Sequence, residues 1–389
     1  MASPGKKPVV LHIGDPIKYN PETYAAFSSA FDVIRPSAAE RERPEFIRAL
    51  RERRWGDFAA IFRPFWSTGG EMGKWDAELI NLLPSSCRVF ASAGAGFDWA
   101  DTKLLGERGV IYCNGGLAAA ESVADFAVAL VISTFRHLPW GMAAATVPQL
   151  LGDRAGAEAA FLFSHTHEVF HSHNLRGHVL GLIGLGKIGQ MIGSKLGNPS
   201  MGMVLHYHDV VRRPAEEEAR LGLTYHPTLA SLLAASDCAV LCTPASADGK
   251  PLINKAALAA FKPGGRFVNI ARGSLVDEEA LADALESGRV SAAGLDVFAD
   301  EPRISPRLLK FAGPQQIAAA GAKGGQIGPD GKAVNPGRVL LTCHNAGGTV
   351  ETHIGFEELA MRNIMAVLEG RKAITPVNMH FLNRKDSKL

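Results

Sequence analysis

The stretch HVLGLIGLGKIGQ, residues 178–190, decides the fold of this chain. An apolar strand-like run leads into the pattern G-x-G-x-x-G, and a helical pattern follows it. In this pattern the first glycine makes a tight turn, the second lets backbone approach a pyrophosphate, and the third lets the helix pack on the strand. The stretch therefore predicts a dinucleotide-binding strand and helix, with the phosphates at the helix N-terminus. The predicted cofactor-binding residues of the motif are Gly184, Gly186, Lys187, Ile188 and Gly189.

The next strand-like run ends in Asp209, which lies 209 − 189 = 20 residues beyond the last glycine of the motif. A carboxylate at this spacing accepts hydrogen bonds from the adenosine ribose hydroxyls and repels a 2′-phosphate. We therefore expect NAD as the cofactor. Arg212 and Arg213 follow closely and partly offset the repulsion, so NADP stays open as an alternative.

Short β-rich runs alternate with helical patterns along the whole chain. Most of these runs are continuously apolar rather than alternating, which is typical of parallel strands covered on both faces. The pattern predicts an α/β fold with a doubly wound parallel sheet. The predicted strands are 8–14, 58–62, 87–94, 109–114, 178–184, 203–209, 238–243, 266–271, 291–297 and 338–343.

Length and composition bound the class of protein. With 389 residues, 47% of them hydrophobic and 21% charged, the chain is long enough for two domains. Its formal net charge of +2 gives no reason to expect a nucleic-acid partner. The N-terminus has no uninterrupted apolar segment, and no unbroken apolar segment elsewhere reaches membrane-spanning length. We expect neither secretion nor a membrane, and a small molecule as the partner.

The five cysteines are an odd number without C-x-x-C spacing, and they lie in apolar strand-like runs or at the ends of such runs. This pattern predicts buried thiols in a reducing compartment rather than a disulfide framework. The C-terminal tripeptide Ser387-Lys388-Leu389 is the signal that a peroxisomal import receptor reads. The tail before it is polar, so we favour peroxisomal import over a chance tail on a cytoplasmic protein.

A dinucleotide cofactor implies hydride transfer, and reduction of a carbonyl requires a cation to polarise it and an acid to protonate its oxygen. Three strand ends downstream of the glycine motif carry polar side chains: Arg272 at the first, Asp296 and Glu301 at the second, and His344 at the third. Ligands of an open α/β sheet bind outside the carboxyl ends of its strands, so these side chains are expected to converge on the nicotinamide. They are the candidates for the cation and the acid.

Five motifs follow one another over nearly the whole chain. Each motif taken alone has an ordinary structural explanation, since a strand-end Arg or Glu usually belongs to a structural ion pair. Their order carries the specificity. The motifs are GAGFDWAD (94–101), HVLGLIGLGKIG (178–189), NIARG (269–273), DVFADEP (296–302) and LTCHNAGG (341–348).

In this order the motifs resemble the D-isomer-specific 2-hydroxyacid dehydrogenases. The resemblance implies that Arg272 binds the carboxylate and carbonyl of a 2-oxo acid, that His344 gives and takes the proton, and that Glu301 hydrogen-bonds His344. A neighbouring carboxylate favours a protonated imidazole, which suits ketone reduction. The guanidinium fork suits a planar carboxylate. By the same resemblance, the backbone amides of Ala95 and Gly96 hold the substrate carboxylate. The residues expected to line the cofactor are Thr243, Ala271, Asp296 and Gly347.

The resemblance also implies a discontinuous domain arrangement. Residues 1–118 and 347–389 would form a flavodoxin-like substrate domain, and residues 119–346 an inserted Rossmann domain that binds NAD. The nearly all-apolar segment 119–138 predicts a buried helix that joins them. The resemblance implies a homodimer, with residues 121–137 as the interface.

Several alternatives stay open at this point. Phe65 and Trp66 would suit an aromatic or branched 2-oxo acid, while a glyoxylate or hydroxypyruvate reductase that uses NADPH is the nearest other enzyme. Some members of the family act as NAD-sensing partners of transcription factors, but the peroxisomal tail argues against that here. The long segment between Pro302 and Arg338 is rich in Gly, Ala and Pro, and unless it loops out it would displace the acid or the histidine.

The histidine-rich run 164–173 raises the question of a metal site. Its four histidines have no accompanying set of cysteines or carboxylates, and the expected chemistry needs no metal. We therefore expect none. The histidines are His165, His167, His171 and His173.

Overall fold

The structure, a computed structural model, describes residues 7–64, 72–166, 168–246, 249–312 and 337–382. The chain divides into two compact units. Unit 1 comprises Met1–Ala120 and Gly348–Leu389, and unit 2 comprises Glu121–Gly347. The boundaries expected from the sequence lie two residues before the first of these divisions and one residue before the second.

Unit 1 is built on a five-stranded parallel sheet in the order β2-β1-β3-β4-β5, the flavodoxin-like order. Apolar side chains cover both faces, with Phe46 and Trp75 in one core and Phe27 and Met361 in the other. Its strands are β1 (Val9–His12), β2 (Asp32–Ile34), β3 (Ala60–Arg63), β4 (Val89–Ser92) and β5 (Ile111–Cys113). Its helices are α1 (Pro21–Ala30), α2 (Arg43–Arg51), α3 (Ala77–Ile80), α4 (Thr102–Glu107) and the C-terminal α14 (Val350–Leu368).

Unit 2 is built on a seven-stranded parallel sheet in the order β12-β11-β10-β9-β6-β7-β8. Counted from β6, six of these strands follow the Rossmann order 3-2-1-4-5-6. The strands are β6 (Val179–Ile183), β7 (Val204–His208), β8 (Leu223–Tyr225), β9 (Cys238–Leu241), β10 (Gly265–Asn269), β11 (Val290–Leu295) and β12 (Val339–Leu341). The helices are α5 (Gly116–Arg136, whose first turn belongs to unit 1), α6 (Leu138–Leu150), α7 (Arg154–Thr166), α8 (Lys187–Leu196), α9 (Ala215–Leu221), α10 (Leu229–Ala235), α11 (Lys255–Ala259), α12 (Glu278–Glu286) and α13 (Pro306–Ala312).

All the strands predicted from the sequence are present, and the α/β doubly wound fold is confirmed. Two strands, β2 and β8, were not predicted. Each has three residues, is only partly buried and lies at the edge of its sheet. So short a strand leaves no apolar run for a sequence pattern to detect.

The C-terminal helix is tied to the start of the chain by a carboxylate. Glu357 of α14 is buried and accepts hydrogen bonds from the backbone N–H groups of Lys18 and Tyr19, each at 2.9 Å, and of Asn20 at 3.1 Å. These donors lie just before α1, at its uncapped N-terminus, where a negative charge is favourable. Helix α14 therefore completes unit 1 although it is more than 300 residues away in sequence.

Helix α5 is long and apolar enough, by length and composition alone, to cross a membrane. In the structure it serves as a core helix of unit 2. Leu130 is almost fully buried against β11, where a Cβ at Gly294 would come within 3.0 Å of the leucine Cβ. The exposed side of α5 carries Glu121 and Asp125, which lie 3.5 and 2.7 Å from Lys195 of α8.

All five cysteines are free thiols. Cys87, Cys113 and Cys238 are buried in strands or next to them, as predicted, and burial raises the pKa of each thiol to about 12. Cys242 is half-buried and Cys343 is exposed.

Candidate active site

The strand order of unit 2 places the predicted residues in one row along the carboxyl edge of the sheet. This is the edge at which an open α/β sheet binds its ligands. The middle of the row, where β6 and β9 are neighbours, is the point at which the strand order reverses. In spatial order the row contains His344 after β12, Asp296 after β11, Arg272 after β10, Thr243 after β9, the glycine motif after β6 and Asp209 after β7.

The three glycines of the motif have different surroundings. Gly184 has a φ of +93°, and a Cβ there would lie 2.7 Å from a methyl group of Thr243. A Cβ at Gly189 would lie 2.5 Å from the carbonyl oxygen of Gly184. A Cβ at Gly186 would meet nothing within 4 Å. The outer two glycines thus allow close packing of strand, turn and helix, and the middle one borders open space, as the fingerprint requires.

Helix α8 begins directly after this open space. Gly186 is its N-cap residue, and no side chain caps the first turn. Gly186 and Lys187 are exposed, so the first amides of α8, including that of Ile188, face a space that an anion can enter. A helix N-terminus of this kind binds phosphate groups through its N–H donors and its dipole. The residues present therefore fit the pyrophosphate of a dinucleotide.

Asp209 lies beside the glycine loop at the end of β7. Its Oδ2 accepts a hydrogen bond from the N–H of Leu185 at 2.7 Å, and its Oδ1 accepts one from Val211 at 3.3 Å. A carboxylate has further acceptor sites beyond these two, so Asp209 can still receive ribose hydroxyls. The expected adenosine end of the cofactor fits here.

The other predicted cofactor contacts follow the same edge. Thr243 Oγ1 is buried and has no hydrogen-bond partner within the described part of the chain. Ala271 is buried in the loop after β10, and Gly347 ends unit 2 in the turn after His344. Cys242, which the sequence pattern did not single out, donates from its Sγ to the carbonyl of Gly184 at 3.0 Å and so supports the glycine loop.

The structure brings His344 and Glu301 into direct contact. The Nδ1 of His344 lies 2.8 Å from Oε2 of Glu301, and Oε1 of the same carboxylate accepts from the backbone N–H of Phe298 at 2.9 Å. Glu301 is thus held at both oxygens. It fixes the orientation of the imidazole and places the proton of the neutral ring on Nδ1, which leaves Nε2 for a substrate oxygen.

Asp296 supports the turn that carries His344. It is 1% exposed, and its carboxylate accepts from Thr342 Oγ1 at 2.6 Å, from Asn345 N–H at 3.1 Å and from Ala346 N–H at 2.9 Å. Its carbonyl accepts the N–H of His344 at 2.7 Å, and His344 has a left-handed backbone with a φ of 52°. The expected contact of Asp296 with the cofactor stays a prediction, whereas its support of the histidine turn is an observed feature that the sequence did not indicate.

The loop that carries Arg272 is held by the side chain of Asn269. The amide group of Asn269 donates to the carbonyl of Arg272 and accepts from the N–H of Ala271, both at 3.0 Å. The carbonyl of Asn269 also accepts from the N–H of Asp296 at 3.0 Å, which ties this loop to the next one. Arg272 is half-buried, and its Nη1 donates to the carbonyl of Ala271 at 2.7 Å. From the sequence, Asn269 could have been noticed only as a polar residue at the end of a buried strand.

The long segment before β12 leaves the site intact. Residues 313–336 lie outside the described residues, but the chain on either side of them meets, because the N–H of Gly337 donates to the carbonyl of Phe311 at 2.7 Å. Glu301 and His344 are in contact despite the insertion between them. The displacement considered from the sequence does not occur in the described residues.

Unit 1 contains the predicted carboxylate-binding loop. Gly94 has a φ of +89°, its carbonyl accepts from Gly115 N–H at 2.7 Å, and the Asn114 side chain donates to the carbonyl of Ala95 at 2.8 Å. These bonds fix the loop by its carbonyl groups. Among the residues that the structure describes, the N–H groups of Ala95 and Gly96 donate to no protein acceptor, as a carboxylate-binding loop requires.

Some predicted features lie elsewhere or outside the described residues. Phe65, Trp66 and His167 lie outside them. His165 is on the exposed side of α7, where its Nδ1 contacts the carbonyl oxygen of Phe161 at 2.8 Å. Over the described ranges, no three or more Cys, His, Asp or Glu side chains form a group able to hold a metal ion.

Comparison with known proteins gives a family match. Residues 141–318 match the model of the NAD-binding domain of the D-isomer specific 2-hydroxyacid dehydrogenases. The chain is 30% identical over 370 residues to 4-methyl-2-oxopentanoate reductase A of Aspergillus oryzae, which covers 95% of this chain and 98% of that protein.

Solved structures with the same fold extend the match to both units. D-mandelate dehydrogenase of Rhodotorula graminis superposes in its apo form with a TM-score of 0.82 at 37% identity, over 95% of this chain and 98% of that one. A glyoxylate reductase from Paecilomyes thermophila superposes with a TM-score of 0.76 at 28% identity, over 96% of this chain and 99% of that one.

Proposed function

Since the chain belongs to the family of D-isomer-specific 2-hydroxyacid dehydrogenases, oxidoreductases that act on a CH–OH group with a nicotinamide cofactor, we propose that it reduces a 2-oxo acid to the D-2-hydroxy acid with NADH. The contact of 2.8 Å between His344 and Glu301, on the sheet edge that also carries the glycine motif, is the observation that carries the proposal. A proton donor and a dinucleotide cradle on one edge are what carbonyl reduction requires.

Each catalytic residue has a separate task. When bound, NADH supplies the hydride that the carbonyl carbon receives. Arg272 binds the carboxylate and polarises the carbonyl through its guanidinium fork. His344 donates the proton from Nε2 to the carbonyl oxygen, and in the reverse direction it accepts that proton. Glu301 holds the ring so that Nε2 keeps its direction. The free amides of Ala95 and Gly96 are the further proposed contacts of the substrate carboxylate.

We propose a branched or aromatic 2-oxo acid as the substrate. The relatives named for mandelate and for 4-methyl-2-oxopentanoate match nearly the full length of this chain, and the first shares 37% identity with it. A pocket that accepts a large apolar side chain gains from its burial, whereas glyoxylate offers none. Phe65 and Trp66 are the proposed apolar contacts.

Initial rates distinguish the candidate functions. We expect oxidation of NADH with phenylglyoxylate or 4-methyl-2-oxopentanoate, at a kcat/KM at least about tenfold above that with glyoxylate, because even one extra methylene group in an apolar pocket is worth about 1–3 kcal/mol. Turnover of glyoxylate and hydroxypyruvate only, with NADPH preferred, would favour the alternative reductase. Binding of NADH without turnover of any 2-oxo acid would instead support an NAD-sensing protein without catalytic activity.

We further propose a peroxisomal location on the basis of Ser387-Lys388-Leu389, which lie outside the described residues. A fluorescent protein fused to the N-terminus of the chain is expected to co-localise with a peroxisomal marker, and deletion of Leu389 is expected to release it to the cytosol. A fusion that is cytosolic with the tail intact would contradict this proposal.

A homodimer is also proposed, with its interface at α6 and α7 rather than at residues 121–137. Helix α5 is partly buried in its own unit and has ion-paired residues on its exposed side. Exposed apolar side chains instead cluster in sequence on α6, α7 and the turns after them, as an interface would require. Light scattering should give twice the 41.4 kDa of the chain, and the mass of a monomer would contradict the proposal. These side chains are Met142, Leu150, Leu151, Phe161, Leu162 and Phe170.

A further inference from the structure

A buried carboxylate holds the arginine that follows the predicted ribose site. Arg212, three residues after Asp209, makes a two-pronged ion pair with Glu218 of α9, with its Nε and Nη2 each 2.9 Å from one carboxylate oxygen. The side chain of Glu218 is 10% exposed and that of Arg212 is 61% exposed. The ion pair therefore joins a fixed carboxylate to a cation that solvent can reach.

Tyr207 fixes this carboxylate from inside the unit. Its hydroxyl is fully buried, donates to Glu218 Oε1 at 2.6 Å and accepts from the N–H of Arg213 at 2.9 Å. The hydrogen bonds from Arg212 and Tyr207 lower the pKa of Glu218 to about 2, so that it is a carboxylate at neutral pH. The guanidinium of Arg212 also lies 5.1 Å from the ring centre of Tyr225 on β8.

The position of Arg212 relates this ion pair to the choice between NAD and NADP. In dinucleotide-binding folds an arginine near the end of this strand accommodates the 2′-phosphate of NADP. The second arginine of the stretch, Arg213, has its Nη2 3.9 Å from Asp209 and donates to the carbonyl of Leu185. Both arginines that could offset the charge of Asp209 thus have protein partners. Arg212 can turn the paired Nε–Nη2 edge of its guanidinium, the edge that binds an anion with two hydrogen bonds, to a phosphate only by leaving Glu218 and exposing that carboxylate to a second anion.

We propose that Glu218 is a specificity-determining residue that favours NAD over NADP by holding Arg212 away from a 2′-phosphate. The inference rests on the proposed use of NADH and adds a second carboxylate to the one at the ribose site. Asp209 repels the phosphate directly, and Glu218 removes the cation that would compensate for it. The two effects are separable because Glu218 is on α9 and its carboxylate acts through its hydrogen bonds with Arg212 and Tyr207.

The substitution Glu218→Gln tests the inference with little change of shape. The amide oxygen of glutamine can still accept from Tyr207, so the buried hydroxyl keeps a partner, while the charge that holds Arg212 is gone. Binding of 2′,5′-ADP and of 5′-ADP is measured by calorimetry, which needs no catalysis. We expect Glu218→Gln to bind 2′,5′-ADP about tenfold more tightly, the order of one charge-assisted hydrogen bond, with 5′-ADP unchanged. An unchanged ratio of the two affinities in the folded variant would overturn the inference.

Two further variants identify the cause. In the double variant Glu218→Gln/Arg212→Ala the gain for 2′,5′-ADP should disappear, and a gain that persists would mean that Glu218 acts by general repulsion rather than through Arg212. Arg212→Ala alone should leave the affinity ratio of the parent protein within about twofold, because the Nε–Nη2 edge of the guanidinium is already occupied by Glu218. A severalfold weaker binding of 2′,5′-ADP by that variant would overturn the inference even if Glu218→Gln does not fold.

The same experiment separates this inference from the proposed reaction. Nucleotide binding does not depend on turnover of a 2-oxo acid. If no 2-oxo acid is reduced but Glu218→Gln still shifts the affinity ratio, the proposed reaction fails and the role of Glu218 stands. If turnover with NADH is found and the affinity ratio does not shift, the proposed reaction stands and the role of Glu218 fails.

Discussion

Replacing His344 by alanine is expected to lower kcat for reduction of the best 2-oxo acid by about 10²- to 10⁴-fold, the usual contribution of a positioned general acid. Glu301 holds the imidazole of His344 at Nδ1, at 2.8 Å, and the carbonyl of Asp296 accepts the backbone N–H of the same residue at 2.7 Å. The other ring nitrogen, Nε2, therefore has a fixed direction. Alanine leaves the carboxylates of Glu301 and Asp296 in place and removes the only group proposed to protonate the carbonyl oxygen of the substrate. Stopped-flow or steady-state oxidation of NADH measures the loss.

The matched control is His380→Ala, which removes an exposed histidine of unit 1. We expect this variant to keep kcat within about twofold, as is usual for surface positions. Binding of 5′-ADP should be unchanged in both variants, because the glycine motif lies after a different strand from His344. If His344→Ala keeps more than a tenth of the activity, His344 is not the general acid and the proposed mechanism is wrong.

The sequence was sufficient to predict which strands end at the site. Arg272, Glu301 and His344 each follow a continuous apolar run, and the glycine motif fixes the strand at which the order reverses. In a parallel sheet all such strand ends lie on one edge, so knowing the strands already brings the side chains together. The resemblance to a known family then assigned their roles, which the strand pattern alone does not give.

Apart from the contact of Glu301 with His344, the sequence did not indicate the partners that hold these side chains. Asp296 and Thr342 are 46 residues apart, and neither position carries a local pattern that pairs them. The same is true of Asn269, whose amide clamps a turn within its own loop, and of Glu218, which acts on an arginine six residues away through side-chain geometry. Such contacts depend on the rotamers and the packing of the folded chain, which periodicity does not encode.

Replacing Gly273 by alanine is expected to lower kcat/KM by about 10²-fold, the cost of moving catalytic groups by roughly 1 Å. A Cβ at Gly273 would lie 1.8 Å from the carbonyl carbon of Phe298 and 2.0 Å from its oxygen, so the two loops must separate. One loop carries Arg272, and the other loop binds Glu301 through the N–H of Phe298. A single methyl group should therefore displace Arg272, the proposed substrate-binding cation, and Glu301, the partner of the histidine, together.

The control is Gly141→Ala in α6, the same change at a helical glycine where a Cβ would meet nothing within 4 Å. Alanine should leave activity unchanged there and favours the helix by up to about 1 kcal/mol. Because α6 is also the proposed dimer interface, light scattering of this variant should give the mass of the parent protein. Gly273→Ala should still bind 5′-ADP, because its clash lies at β10 and β11 rather than at β6, and that binding separates a displaced site from an unfolded unit. Unchanged kcat/KM in Gly273→Ala would mean that the two loops separate without moving Arg272 or Glu301, and the rigid coupling of these residues would be refuted.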